Sequence, residues 1–226
     1  PVTWSRTVIS DGRADAVVLN SGGANACTGA PGFQDTHRTA EHVGEVLRVA
    51  AGDVVVCSTG LIGERLPMGL LLPGVEAAVE ELSVDGGPAA ATAIMTTDSV
   101  PKTATAVRDG MLAPALATML VVITTDAVIE GAHVADDLDA VLRSATAMTF
   151  DRIDSDGCMS TNDTVLLMAS GASGTTVALA DLTDAVTQVC ADLARQLIAD
   201  AEGAHHDIAI EVTGAASEDD ALEVAR

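Results

Sequence analysis

Apolar residues in this chain fall into two rhythms, short unbroken runs and stretches with helical spacing, and the two alternate from one end to the other. Ala16-Val17-Val18-Leu19-Asn20 is a brief apolar run between Arg13-Ala14-Asp15 and a glycine-rich segment, the pattern of a buried strand entering a loop. That loop is read as residues 21–32. From Thr36, the positions Ala40, Val43, Val46 and Leu47 recur at helical spacing and stop near Ala51-Gly52. Asp53-Val54-Val55-Val56-Cys57-Ser58 is a second buried strand, running directly into Thr59-Gly60-Leu61-Ile62-Gly63. Residues 67–82 and 87–95 read as helical, with breaks at Pro73-Gly74 and Gly86-Gly87, and residues 103–107 as a strand. Residues 119–124 are apolar and β-branched enough for a central strand, and a helix over 136–148 follows through Leu138, Val141, Leu142 and Ala145. A polar loop at 154–163 leads to a strand at 164–169. The clearest helix spans 181–200, with Val186, Val189, Leu193 and Leu197 on one face. Residues 207–212 alternate as a strand, and Ser217 with Asp220 caps a closing helix. Strands and helices intermixed in this way predict a layered α/β (α+β) architecture.

Composition narrows the function classes. With 48% hydrophobic and 19% charged residues among 226, the chain has enough apolar surface to fold. Its net charge of −22 repels phosphate backbones and anionic lipid heads, so no nucleic acid and no membrane partner is expected. Two Phe, one Trp and no Tyr leave no aromatic platform for single strands. The apolar run at 111–123, interrupted by Pro114 and Thr118, is shorter than the roughly 20 residues of a membrane-spanning helix. Cys27, Cys57, Cys158 and Cys190 are scattered without a CxxC pair, which predicts reduced thiols in a cytoplasmic protein. Pro1-Val2-Thr3-Trp4 reads as a cut edge inside a longer sequence.

Three segments could carry chemistry, each with a plain structural alternative. Asn20-Ser21-Gly22-Gly23-Ala24-Asn25-Ala26-Cys27-Thr28-Gly29 places glycines, amides and hydroxyls after a strand, where backbone N–H groups can turn toward an anion; equally it is a tight turn of residues tolerant of positive φ. In Cys57-Ser58-Thr59-Gly60-Leu61-Ile62-Gly63 a hydroxyl stands beside an unhindered glycine N–H, a pair able to stabilise a developing oxyanion, or simply a strand end. In Ala113-Pro114-Ala115-Leu116-Ala117-Thr118-Met119-Leu120, scission before Thr118 would give one residue both a hydroxyl nucleophile and an α-amine, whose pKa near 8 suits it to act as base. Uncut, Thr118 is a β-branched strand residue. His37, His42, His133 and His205-His206 lack zinc-ligand spacing, and no metal is expected. The acidic cluster Asp151, Asp154, Asp156 matches no calcium loop in spacing, but Asp156-Gly157-Cys158-Met159-Ser160-Thr161-Asn162-Asp163-Thr164 is rich in hydrogen-bonding groups.

In this order, those four segments resemble the ornithine acetyltransferase (glutamate N-acetyltransferase) family, and the likeness runs on through Glu202-Gly203-Ala204 and Val212-Thr213-Gly214-Ala215-Ala216. The wording is closest to the member from clavulanic acid biosynthesis clusters. The resemblance implies an N-terminal-nucleophile-type, self-processing fold with sheets packed between helices. It implies cleavage between Ala117 and Thr118 into an alpha-chain region, 1–117, and a beta-chain region, 118–226, truncated at its C-terminus. The pair stays associated and oligomerises further. Thr118 is then the nucleophile, Thr59 and Gly60 the oxyanion pair, and Glu202 the group that grips the substrate's amino group. The implied reaction moves acetyl from N-acetylornithine to glutamate through an acyl-enzyme, without a cofactor. Where the family carries a substrate-binding lysine in Lys-Gly-x-Gly-Met, this chain has Val107-Arg108-Asp109-Gly110-Met111, behind a shortened loop. A self-cleaving amidase or aminopeptidase, or an inactive acidic fragment, are the alternatives.

Overall fold

The computed structural model describes every residue except Asp109, Thr118, Ser155, Asp156, Cys158, Met159, Ala204 and Arg226, with Arg108 and residues 110–117 described by backbone alone. Two sheets lie face to face between helices. The smaller pairs β1 (Ala16–Asn20) with β2 (Val54–Ser58) in parallel, Ala16 opposite Val54 and Asn20 opposite Ser58. The larger contains β3 (Lys102–Thr103), β4 (Ala106–Arg108), β5 (Gly110–Ala117), β6 (Leu120–Thr125) and β7 (Thr164–Ala169). Its order is β3-β5-β6-β7, with β4 also on β5; β5 and β6 are antiparallel, β6 and β7 parallel.

The period-two alternation of strand side chains builds the layers. On β2, Val54 and Val56 turn outward to Ala40 and Val43 of α2 (Gly29–Leu47) and Val75 of α3 (Met68–Glu80). Val55 and Cys57 turn inward and meet Leu120 of β6 and Leu166 of β7. On β6, Val121 and Ile123 point the other way, onto α5 (Val134–Ala147) and α6 (Leu179–Ala199). The stack is therefore helix, sheet, sheet, helix, the sandwiched sheets that the resemblance implied. Val186, Val189, Cys190 and Leu193 on α6 are completely buried, each apolar side chain contributing about 1.5–3 kcal/mol of transfer free energy. Burial pushes the thiols up, Cys57 to about 11 and Cys190 to about 12, which removes both as nucleophiles at neutral pH.

Several boundaries differ from the sequence pattern. α1 (Val2–Val8) was not legible: its Ser5 hydroxyl donates to Val56 O at 2.7 Å and accepts from Val56 N at 2.9 Å, so it covers the outer edge of β2. α2 begins at Gly29, inside the expected loop, because Gly32 leaves room for Thr28 and Asn25; a Cβ there would stand 1.8 Å from Thr28 Oγ1. Pro73 sits within α3 instead of breaking it, and the strand expected at 103–107 is divided between β3 and β4. α4 (Gly87–Ala93) and α7 (Glu218–Ala225) fall where expected, the latter capped by Ser217 Oγ accepting from Asp220 N at 3.1 Å. Residues 207–212 form no strand: alternation supplies a side-chain pattern but not a partner, and Ile208 and Ile210 remain exposed. Among the described residues no helix is long and apolar enough to cross a membrane.

Candidate active site

Strands β1 and β2 end level with one another, and the loops that follow are laced together. Thr59 N–H donates to Asn20 O at 2.9 Å, Ala24 N–H to Leu61 O at 3.0 Å and Gly63 N–H to Ala26 O at 2.9 Å. The strand ends are fixed as well, Ser58 Oγ donating to Asn20 Oδ1 at 2.6 Å and Asn20 Nδ2 to Gly23 O at 3.2 Å. Within the glycine-rich loop, Asn25 takes φ +49° and is buried, its Nδ2 donating to Gly32 O at 2.8 Å and Thr36 Oγ1 at 2.9 Å. Thr28 Oγ1 donates to Asn25 Oδ1 at 2.7 Å. These groups are spent on shaping the loop, so the bland reading of that motif describes Asn25 and Thr28.

Thr59 and Gly60 differ. Thr59 is fully buried, and its Oγ1 has no hydrogen-bond partner among the described residues. The other such atom, His42 Nε2, at least faces Glu76 at 3.2 Å. A buried hydroxyl without a partner costs about 1–3 kcal/mol, and it leaves a donor free for an incoming acceptor. Gly60 has φ +121°, and a Cβ on it would lie 2.9 Å from Gly23 N. Its own N–H donates to no described group. A free hydroxyl and a free amide on adjacent residues, at a strand end held from three sides, are the donors that a developing oxyanion requires.

The second sheet brings two further segments to this end. Asn162 is buried, and its Nδ2 donates to Ser58 O, tying the start of β7 to the end of β2. Thr164 N–H donates to Met119 O at 2.9 Å, and Ala117 pairs with Leu120. Leu120 packs with Val55 and Cys57 between the sheets. The backbone on both sides of the 117–118 junction is therefore anchored to the strands that present Ser58, Thr59 and Asn162. Thr118 itself lies outside the described residues, as do Asp156, Cys158 and Met159 of the fourth motif. Glu202 stands exposed in the turn after α6, and no described contact joins it to the Thr59–Gly60 loop. The described residues hold no group of three or more His, Cys, Asp or Glu that could bind a metal.

The ArgJ family pattern matches residues 1–226. The chain belongs to the ArgJ family. The arginine biosynthesis bifunctional protein ArgJ of Streptomyces coelicolor is 60% identical over 237 residues, covering 100% of this chain and 61% of the relative. ArgJ 1 of Streptomyces clavuligerus is 56% identical over the same shares, and ArgJ of Mycobacterium tuberculosis 54% identical over 245 residues and 60% of its length. All three names carry arginine biosynthesis, and none carries clavulanic acid. The chain thus spans about three-fifths of these ArgJ proteins, and alignments longer than its 226 residues mean that they hold residues within the matched span that it lacks. A crystal structure of the ornithine acetyltransferase from M. tuberculosis complexed with ornithine is 49% identical, with a TM-score of 0.50 over 52% of this chain and 65% of that one.

Asn162 and Lys102 were not singled out from sequence. Asn162 carried a signal in the density of hydrogen-bonding groups around it. Lys102 carried none: besides Asp98 nearby, its partner is Asp200, far away along the chain.

Proposed function

We propose that this ArgJ chain moves an acetyl group from N-acetylornithine to glutamate after cutting itself between Ala117 and Thr118. In the cut, Thr118 Oγ attacks the Ala117 carbonyl, the C–N bond breaks as the amine leaves, and water opens the resulting ester. This releases the Ala117 carboxylate and the free amine of Thr118. In the first half of transfer that amine draws the proton from Oγ, which attacks the acetyl carbonyl; the proton passes to ornithine's nitrogen as it departs. Glutamate's amine then attacks the acetyl-threonine ester and regenerates the alcohol. The tetrahedral oxyanion of each step is received by Thr59 Oγ1 and Gly60 N–H, and Glu202 holds the substrate's amino group. No acetyl-CoA is needed, since both donor and acceptor are amino acids.

The observation that carries this reading is the Thr59 hydroxyl, buried with no partner among the described residues, beside Gly60 at φ +121°, at the end of the sandwich where the backbone flanking the 117–118 junction is fixed. One comparison supports it: a relative of 49% identity is an ornithine acetyltransferase solved as a complex with ornithine. The cut then puts Ala117 at the end of one chain and Thr118 at the start of another, with the two held together by the shared sheet. Mass spectrometry of purified protein tests the reading: two chains, one starting at Thr118, are expected, with ornithine-to-glutamate acetyl exchange. Thr118→Ala should stay as one chain and lose the exchange. A single intact chain in active material refutes it, and acetyl passing only to water points instead to an amidase. Because Val107-Arg108-Asp109-Gly110-Met111 replaces the family's lysine segment, weak substrate affinity with complete self-cleavage is the expected balance.

A further inference from the structure

Lys102 is buried, 1% exposed, in the strand that flanks the processing segment. Its Nζ donates to Asp98 Oδ1 at 2.5 Å, to Asp200 Oδ2 at 2.5 Å and to Val100 O at 3.2 Å. All three ammonium hydrogens are used, so Lys102 cannot stand in for a substrate-binding lysine. Asp200 is held from the same side by Ser99, whose N–H lies 2.9 Å from Oδ2 and whose hydroxyl reaches Oδ1, and by Val100 N–H at 3.4 Å. Next to Lys102, Thr103 exchanges two hydrogen bonds with Gln196 of α6, at 3.1 and 2.9 Å. Lys102 itself lies opposite Leu116, one residue before Ala117.

Asp200 caps the C-terminal end of α6, and the turn carrying Glu202 begins immediately after it. A buried ion pair gains little over an apolar contact of the same volume, but it fixes register, because sliding the helix by one residue would strand a charge. We propose that Lys102 is a positioning residue, which through Asp200 holds the turn bearing Glu202 against the strand that leads to the 117–118 junction. The inference rests on the reading of Glu202 as the substrate's grip. Lys102 and Asp98 precede the junction and Asp200 follows it, so after scission the clamp joins two chains.

The test compares Asp200→Asn and Lys102→Met with Leu193→Ala, which weakens α6 in the core far from the turn. Ornithine binding is read by calorimetry on the self-cleaved protein, alongside KM and kcat for acetyl transfer. Both clamp variants should bind ornithine about tenfold more weakly, with KM raised in step and kcat within about threefold of the parent. Leu193→Ala should lower the melting temperature with no change in affinity. Should Lys102→Met fail to fold, Asp200→Asn, which keeps the volume and the Ser99 contact, decides the matter. Unchanged ornithine affinity in a folded Asp200→Asn variant overturns the proposal. A parent that binds ornithine yet transfers no acetyl refutes the reaction, and the clamp is then judged on the binding constants alone.

Discussion

On the proposed mechanism, Thr59 separates catalysis from stability at one atom. Its hydroxyl is buried without a partner among the described residues, so replacing it by valine, which has nearly the same shape, removes a desolvated donor and leaves the packing intact. Thr59→Val should hold or raise the melting temperature while lowering kcat for acetyl transfer about 10²–10³-fold, the usual cost of one oxyanion donor. A variant that loses stability along with activity would mean that the hydroxyl is structural. Gly60 behaves in the opposite way. At φ +121° an alanine is strained, and its Cβ would press on Gly23 N at 2.9 Å, where two backbones meet and neither can yield as a side-chain tip could. Gly60→Ala should cost about 1–3 kcal/mol in denaturant unfolding and slow self-cleavage, followed as the fraction of intact chain over time.

At the scale of elements, the site is a meeting of strand ends, and Asn162 is what joins them across the two sheets. Its amide donates to Ser58 O, immediately before Thr59 and Gly60. Asn162→Ala leaves that carbonyl unpaired and should cost about 1–3 kcal/mol in unfolding. It should also reduce turnover by at least about tenfold, since small misplacements of a donor are expensive. Steady-state kinetics at saturating donor would separate the two effects. This level also shows what sequence can and cannot reveal. β1, β2, β6 and β7 were legible as unbroken apolar runs, as in Val54-Val55-Val56-Cys57, and α6 by its helical spacing. The Thr59–Gly60 pair was legible as a hydroxyl and glycine at a strand end. What escaped depends on partners distant in the chain: Ser5 standing in for a strand at Val56, Asn162 reaching Ser58, and Lys102 reaching Asp200. The alternating segment at 207–212 shows the converse, a correct local rhythm with no neighbour to pair with.

For the whole molecule, two electrostatic effects oppose one another as pH falls. The net charge of −22 makes the compact state repel itself near neutrality, so moving toward the pI of about 4.2 should first stabilise the protein, as should added salt at pH 7. Against this stands Asp200, whose carboxyl is held below the usual carboxylate range chiefly by the Lys102 ammonium and then by Ser99. A carboxyl depressed in the folded state contributes stability that is fully present above its unfolded pKa, near 4, and is lost as pH drops further toward the folded value. Lys102 keeps its charge throughout this range, because the two carboxylates outweigh the downward pull of its burial. Melting temperature should therefore rise from about pH 8 to about pH 5 and fall below about pH 4. In Asp200→Asn the neutral side chain has no proton to take up, so the acid limb should be shallower while the rise toward pH 5 is unchanged. If the two chains are held partly by this clamp, the same comparison by size-exclusion chromatography should show the parent pair separating more steeply than the variant pair as the pH is lowered through 4. Identical acid limbs in both proteins would place the acid sensitivity in carboxylates elsewhere.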